Sequence, residues 1–124
     1  MCKLFVSADP ALWEPVSHSL RLHGSSTSIR IEAFFWRVLE DIARRDRLTV
    51  NELITRLYDE LVEQERDMGN FASFLRVCCG RYLALQVEGE IPKDLTPIRA
   101  LDAGAILARE QNRVSPECGV RLRA

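Results

Sequence analysis

Arg30 stands between Ile29 and Ile31 in the stretch Ser26-Thr27-Ser28-Ile29-Arg30-Ile31-Glu32. A period of two sends Ile29 and Ile31 to one face of an extended strand and Ser26, Ser28 and Arg30 to the other. A guanidinium is a rigid fork of donors able to bond two acceptors at once, and serine hydroxyls both donate and accept beside it. The chemistry on offer is recognition rather than bond making. Other reactive residues are scattered. Removal of Met1 would expose the amine of Cys2 as a base for its own thiol, the footing for an N-terminal Cys hydrolase, yet no oxyanion motif follows. His18 and His23 lack a second pair of ligands at metal spacing. Cys2, Cys78, Cys79 and Cys118 show no CxxC spacing, and the adjacent Cys78 and Cys79 suit a mutual disulfide poorly. Reduced thiols are expected, with no metal, no cofactor and no enzymatic activity.

A lone strand leaves a row of backbone N–H and C=O groups unpaired, so the expected completion is the same strand of a second chain, running antiparallel. Behind it, Glu32 to Arg45 carries Phe35, Leu39 and Ile42 with Trp36 and Ala43 alongside, the stripe of a core-facing helix. Arg37, Glu40, Asp41, Arg44 and Arg45 form the opposite, water-facing side. Asp46-Arg47-Leu48-Thr49 is a tight connection, and Thr49-Val50-Asn51-Glu52 spells a capping box. The second helix runs from there to about Gln64 on a stripe of Val50, Leu53, Ile54, Leu57, Tyr58 and Leu61.

Strand, helix, capped turn and helix in this order resemble the ribbon-helix-helix family of bacterial DNA-binding dimers. Ser19-Leu20-Arg21-Leu22-His23-Gly24, Phe35-Trp36 and Asn70-Phe71-Ala72-Ser73 extend the similarity, to a little-characterised branch, over roughly residues 17 to 85. The resemblance implies a mainly α fold with one short strand: an intertwined homodimer with an intermolecular two-stranded antiparallel ribbon plus an additional C-terminal helix. Its partners are then a second copy and double-stranded DNA, in a transcriptional regulator. By the same resemblance Ser26, Ser28 and Arg30 contact bases in the major groove. The backbone of Thr49, Val50 and Asn51 holds a phosphate, and Ile29, Ile31, Phe35, Trp36, Leu39, Ile42, Leu53, Ile54 and Leu57 form the dimer core. Arg30 can bond the O6 and N7 of a guanine together. Two of the three strand residues are serines, which shifts weight to phosphate and shape recognition. A second reading is a dimeric scaffold for a protein or a small anionic ligand such as a nucleotide, gripped by Arg21 and Arg30.

The net charge of −1 excludes a polycation. Charge is local instead: residues 18–50 hold six Arg against four acids, +2, and residues 51–70 hold two Arg against six acids, −4. The ribbon end is the positive pole. A unit of about 50 residues buries little surface unless it dimerises. No apolar run approaches the roughly 20 residues of a membrane span, and Met1 to Val6 is too short for a signal peptide's apolar region. A cytoplasmic location is expected.

Residues 1–17, broken by Asp9-Pro10 and Glu14-Pro15, read as an extended N-terminal arm whose Leu4, Phe5, Leu12 and Trp13 pack on the body. Residues 18–86 are the ribbon-helix-helix domain with a third helix capped by Asn70. Within it Ser19-Leu20-Arg21-Leu22 repeats the alternation of Ser28-Ile29-Arg30-Ile31, either as a hairpin or as a longer ribbon arm. A hairpin would set Arg21 and His23 beside Arg30 as auxiliary anion contacts. Residues 87–124 are a C-terminal extension, helical from Pro97 to Arg109 with Thr96 as N-cap and ending in a basic tail with Arg121 and Arg123.

Overall fold

The computed structural model describes residues 2–67 and 69–113. The N-terminal segment is not extended. It forms helix α1 (Cys2–Val6) and a 3-10 turn, Pro10–Trp13, whose Ala11 N–H donates to the Asp9 carboxylate at 3.0 Å. Nor do its apolar residues pack as expected: Leu4, Phe5 and Trp13 are 76%, 66% and 53% exposed. Five residues of helix bury nothing, so there is no apolar stripe to dock.

Strand β1 (Pro15–Leu22) begins inside the stretch read as arm and pairs antiparallel with β2 (Ser25–Glu32). The two-stranded ribbon is present, but its second strand comes from the same chain, and the chain has two strands where one was expected. The turn explains why. His23 at φ 53° and Gly24 at φ 80° supply the two left-handed residues of a type I′ turn, whose twist matches that of the flanking strands. Histidine is among the side chains that tolerate this region, and so short a loop costs little closure entropy. Of the two arrangements left open for Ser19 to Leu22, the hairpin is adopted. Its inner face buries Leu20, Leu22, Ile29 and Ile31.

Helix α2 (Ala33–Arg45) holds β1 in place: Trp36 Nε1–H donates to the Val16 carbonyl at 2.9 Å, and the His18 ring stacks on the indole with centroids 3.9 Å apart. At the end of α2 the Leu48 N–H reaches back to the Ala43 carbonyl at 2.9 Å and that of Arg47 to Arg44 at 3.2 Å, a Schellman closure with Arg47 at φ 56°. The capping box then opens α3 (Val50–Glu63): Glu52 N–H donates to Thr49 Oγ1 at 3.1 Å, and Thr49 N–H to Glu52 Oε1 at 2.9 Å. Asn70 caps α4 (Phe71–Val87) through the Ser73 N–H.

Ile31, Leu39, Ile54, Leu75 and Cys79 form the fully buried centre. Of the residues expected in a dimer core, Ile29, Ile31, Trp36, Leu39, Leu53 and Ile54 are buried, and Phe35, Ile42 and Leu57 pack against them, all within one chain. Leu20 and Leu22 of β1 and Leu75, Cys79, Tyr82 and Leu85 of α4 provide the cover.

Arg45, assigned to the watery side of α2, is 4% exposed. Its guanidinium donates to Tyr82 Oη at 2.9 Å, to the Thr96 carbonyl at 3.1 Å and to the Pro92 carbonyl, and Tyr82 donates in turn to Asp41. The C-terminal helix also starts later than Pro97: a 3-10 turn, Ile98–Ala100, precedes α5 (Ala103–Arg113). Asp102 sets that start by accepting the Ala105 N–H at 3.1 Å, whereas Asp94 takes the Thr96 N–H at 2.8 Å. Ion pairs Arg81–Glu110 and Arg109–Glu90, both at 2.6 Å, fasten α5 to α4 and to the loop between them. Arg121, Arg123 and Cys118 lie outside the described residues.

Candidate nucleic-acid interface

The hairpin register gives the outward face a simple composition. Ser17 lies opposite Arg30, Ser19 opposite Ser28 and Arg21 opposite Ser26, and all six are exposed. Serine and arginine are the only residue types across these three pairs. Ser26, Ser28 and Arg30 therefore share one surface, and Arg21 joins them across the ribbon. Ser17 and Ser19 were missed as site residues, although the alternation Ser17-x-Ser19-x-Arg21 carries the same signal once Pro15 is taken as the strand start.

His23 belongs elsewhere. It sits in the turn, its Nε2 2.7 Å from an Asp59 carboxylate oxygen and its ring against Tyr58, so an acid already occupies the side chain expected to assist Arg30. The amides expected to grip a phosphate are partly used as well. Thr49 N–H is taken by Glu52, while those of Val50 and Asn51 have no partner among the described residues, as the first turn of a helix leaves them. Bonding from Thr49 also lowers the Glu52 carboxyl below its ordinary range.

Backbone phase decides what the ribbon edges offer. The residues flanking a two-residue hairpin turn form a hydrogen-bonded pair, and such pairs then alternate along the ladder. Leu22 and Ser25 are that pair here, so Ser26, Ser28 and Arg30 turn their backbone N–H and C=O groups away from β1. Along this open edge runs a groove of about 420 Å³ whose lining includes Ile29, Arg30, Tyr58, Phe71 and Ala72.

Arginines divide by location. Those of the C-terminal half are mostly neutralised: Arg76 grips Glu32 at 2.7 and 3.2 Å, holding that carboxyl below its ordinary range, and Arg81, Arg99, Arg109 and Arg113 each face an acid. Arg21, Arg30, Arg37, Arg47 and Arg56 have no acidic partner among the described residues. Arginines without an acidic partner among the described residues thus stand on the hairpin, α2, the turn after it and α3, with Arg66 just beyond α3.

Nucleophilic chemistry finds little support here. Burial raises the Cys78 thiol to about 11 and the Cys79 thiol to about 12, which suppresses the thiolate, and Cys2 is exposed on α1 with no hydrogen-bond partner among the described residues. Among the same residues no cluster of acids, histidines and cysteines is fit to hold a metal, and no helix is long and apolar enough to cross a membrane.

A ribbon followed by two helices joined through a capped turn is the architecture of a ribbon-helix-helix domain, and a profile of the family described as "Ribbon-helix-helix domain" matches residues 15–83. The chain belongs to this family. Its structure is similar to that of an uncharacterized protein from Bordetella pertussis Tohama I, with a TM-score of 0.82, 56% sequence identity and 86% of each chain covered. No curated protein matches the chain. The matched span starts at the first residue of β1 and ends within α4, so the hairpin and most of the third helix lie inside it.

Proposed function

We infer that the protein is a homodimeric, sequence-specific DNA-binding protein, a bacterial transcription regulator of the cytoplasm that works without cofactor or catalysis. The observation that carries this reading is the outward hairpin face, whose three pairs nearest the turn hold serine and arginine alone above a buried apolar inner face. Arg30 reads a base and Ser26 and Ser28 support it, while the free amides of Val50 and Asn51 receive a backbone phosphate.

Dimerisation follows from the open edge of β2. A twofold axis normal to the sheet pairs β2 with its copy antiparallel and keeps both outward faces on one side. The partner covers the unpaired groups of Ser26, Ser28 and Arg30 and the apolar lining of the adjacent groove. The edge of β1 is less suited, because Arg21 and Arg56 beside it would meet their own copies as like charges.

Two measurements test the reading. Sedimentation at micromolar concentration is expected to give twice the chain mass of 14.2 kDa, and duplex DNA is expected to be retarded with affinity that drops steeply between about 50 and 200 mM salt. A monomer that retards nothing contradicts it. A dimer that binds no duplex favours the scaffold reading, with a protein or an anionic ligand on the Arg21 and Arg30 face.

A further inference from the structure

The outer edge of β1 faces α3 across a second groove, of about 320 Å³, lined by Leu20, Arg21, Asn51, Glu52, Thr55 and Arg56. Two arginines without acidic partners among the described residues meet here, one from each element. The single acid, Glu52, already accepts the Thr49 N–H at 2.9 Å in the capping box, and the Thr55 hydroxyl donates to the Asn51 carbonyl at 2.8 Å. Formal charge in the groove is therefore +1, two cations against one carboxylate that is engaged in the capping box and also feels the charge of Arg56 one helical turn on.

We propose that this groove is a clamp for the DNA backbone, in which Arg21 and Arg56 bind a phosphate that flanks the bases read by Arg30. The inference rests on the DNA-binding dimer described above and adds a division of labour within it. Strands lie roughly 4.8 Å apart, so the outer strands of a four-stranded sheet β1-β2-β2-β1 are about 14 Å apart. A major groove is about 12 Å wide and admits a two-stranded ribbon. Only the paired β2 strands fit between its walls. Each β1 strand rides over a wall, where the nearest anions are phosphates, and Arg56 on α3 approaches the same phosphate from outside the sheet. Guanidinium and phosphate match geometrically as well as in charge.

Fluorescence anisotropy of the full chain on its preferred duplex, from about 50 to 200 mM salt, tests the clamp. Each phosphate contact adds about 0.9 to the slope of log affinity against log salt, and a dimer carries every residue twice. Arg21→Gln and Arg56→Gln together are expected to flatten the slope by about 2, each alone by part of that, and both to weaken all duplexes alike, leaving the ranking of single-base operator changes as in the parent protein. Arg21→Lys and Arg56→Lys restore most of the slope, which separates charge from shape. Unfolding midpoints of all four variants should equal the parent's, since neither arginine is buried. A double Gln variant that binds with the parental slope overturns the clamp while leaving the DNA reading intact. A ranking of base changes altered by Arg21→Gln also overturns it, by making Arg21 a reader of sequence. If the parent protein binds no duplex, the clamp falls together with the reading it rests on.

Discussion

Arg30 and Arg45 are the same residue type put to opposite uses. Arg30 has an exposed side chain on a polar strand face with no partner among the described residues, which leaves its donors for a guest. Arg30→Ala is expected to cost operator binding about 1–3 kcal/mol and to relax preference at one base position, as binding assays on single-base operator variants would reveal; equal losses on every duplex would assign it to phosphate instead. Arg45 spends its donors inside the protein. Arg45→Ala leaves the carbonyls of Pro92 and Thr96 short of a donor in a part-buried site, and unsatisfied groups of that kind cost about 1–3 kcal/mol each. Urea unfolding should register a loss of about 3 kcal/mol, without a direct effect on DNA contacts. The exposure of Arg30 was legible because it depends on the alternation of its immediate neighbours. Arg45 was not, because Tyr82, Pro92 and Thr96 lie 37, 47 and 51 residues away, and a helical wheel places it among solvated charges.

Local chemistry explains which elements could be read in advance. The Thr49 to Glu52 box was visible as a spacing and is present with both of its hydrogen bonds; Thr49→Ala is expected to destabilise the fold by about 1 kcal/mol, measurable by thermal melting. Asn70 announced α4 in the same way. The hairpin was harder, since His-Gly is a weaker type I′ signal than Asn-Gly and the strand alternation fits a partner from either chain. The phase of the ladder supplies a test at this scale. Ser28 directs its N–H away from β1, so Ser28→Pro removes a donor that the hairpin does not use. That variant is expected to remain folded by circular dichroism yet to sediment as a monomer. Ile29→Pro, one residue on, removes a hairpin bond and should unfold the ribbon. A dimer that survives Ser28→Pro would place the interface elsewhere. The late start of α5 escaped sequence reasoning because Thr96-Pro97 and Asp102 are both acceptable caps, and only the packing of Ile98, Leu101 and Ile106 chooses between them.

At the scale of the molecule, one chain closes its own core and leaves Arg21 and Arg30 exposed on the ribbon. The expectation that a second copy must supply the core treated about 50 residues as the folding unit, whereas β1 and α4 complete it from within the chain. The proposed dimer then needs only the pairing of an edge, which should make it concentration-dependent without unfolding the subunit. The body's carboxylates set its acid response. Hydrogen bonds from Arg76, Arg81 and Arg109 hold Glu32, Glu110 and Glu90 below their ordinary value of 4.5. Groups with depressed folded values stabilise above the unfolded value and lose that contribution as the pH falls through the folded one. Urea midpoints are therefore expected to be steady from neutral pH to about 5 and to decline below about 4.5 as the unfolded chain takes up protons first; midpoints that rise on acidification would contradict the pairing.

Selection of bound fragments from random duplex DNA bears on the central claim most directly, because it reports base reading and symmetry together. A dimer joined along β2 presents Arg30 twice about a twofold axis, so the enriched sequences are expected to contain an inverted repeat with a guanine in each half. Enrichment of a motif without dyad symmetry, or of none at all, would contradict the account.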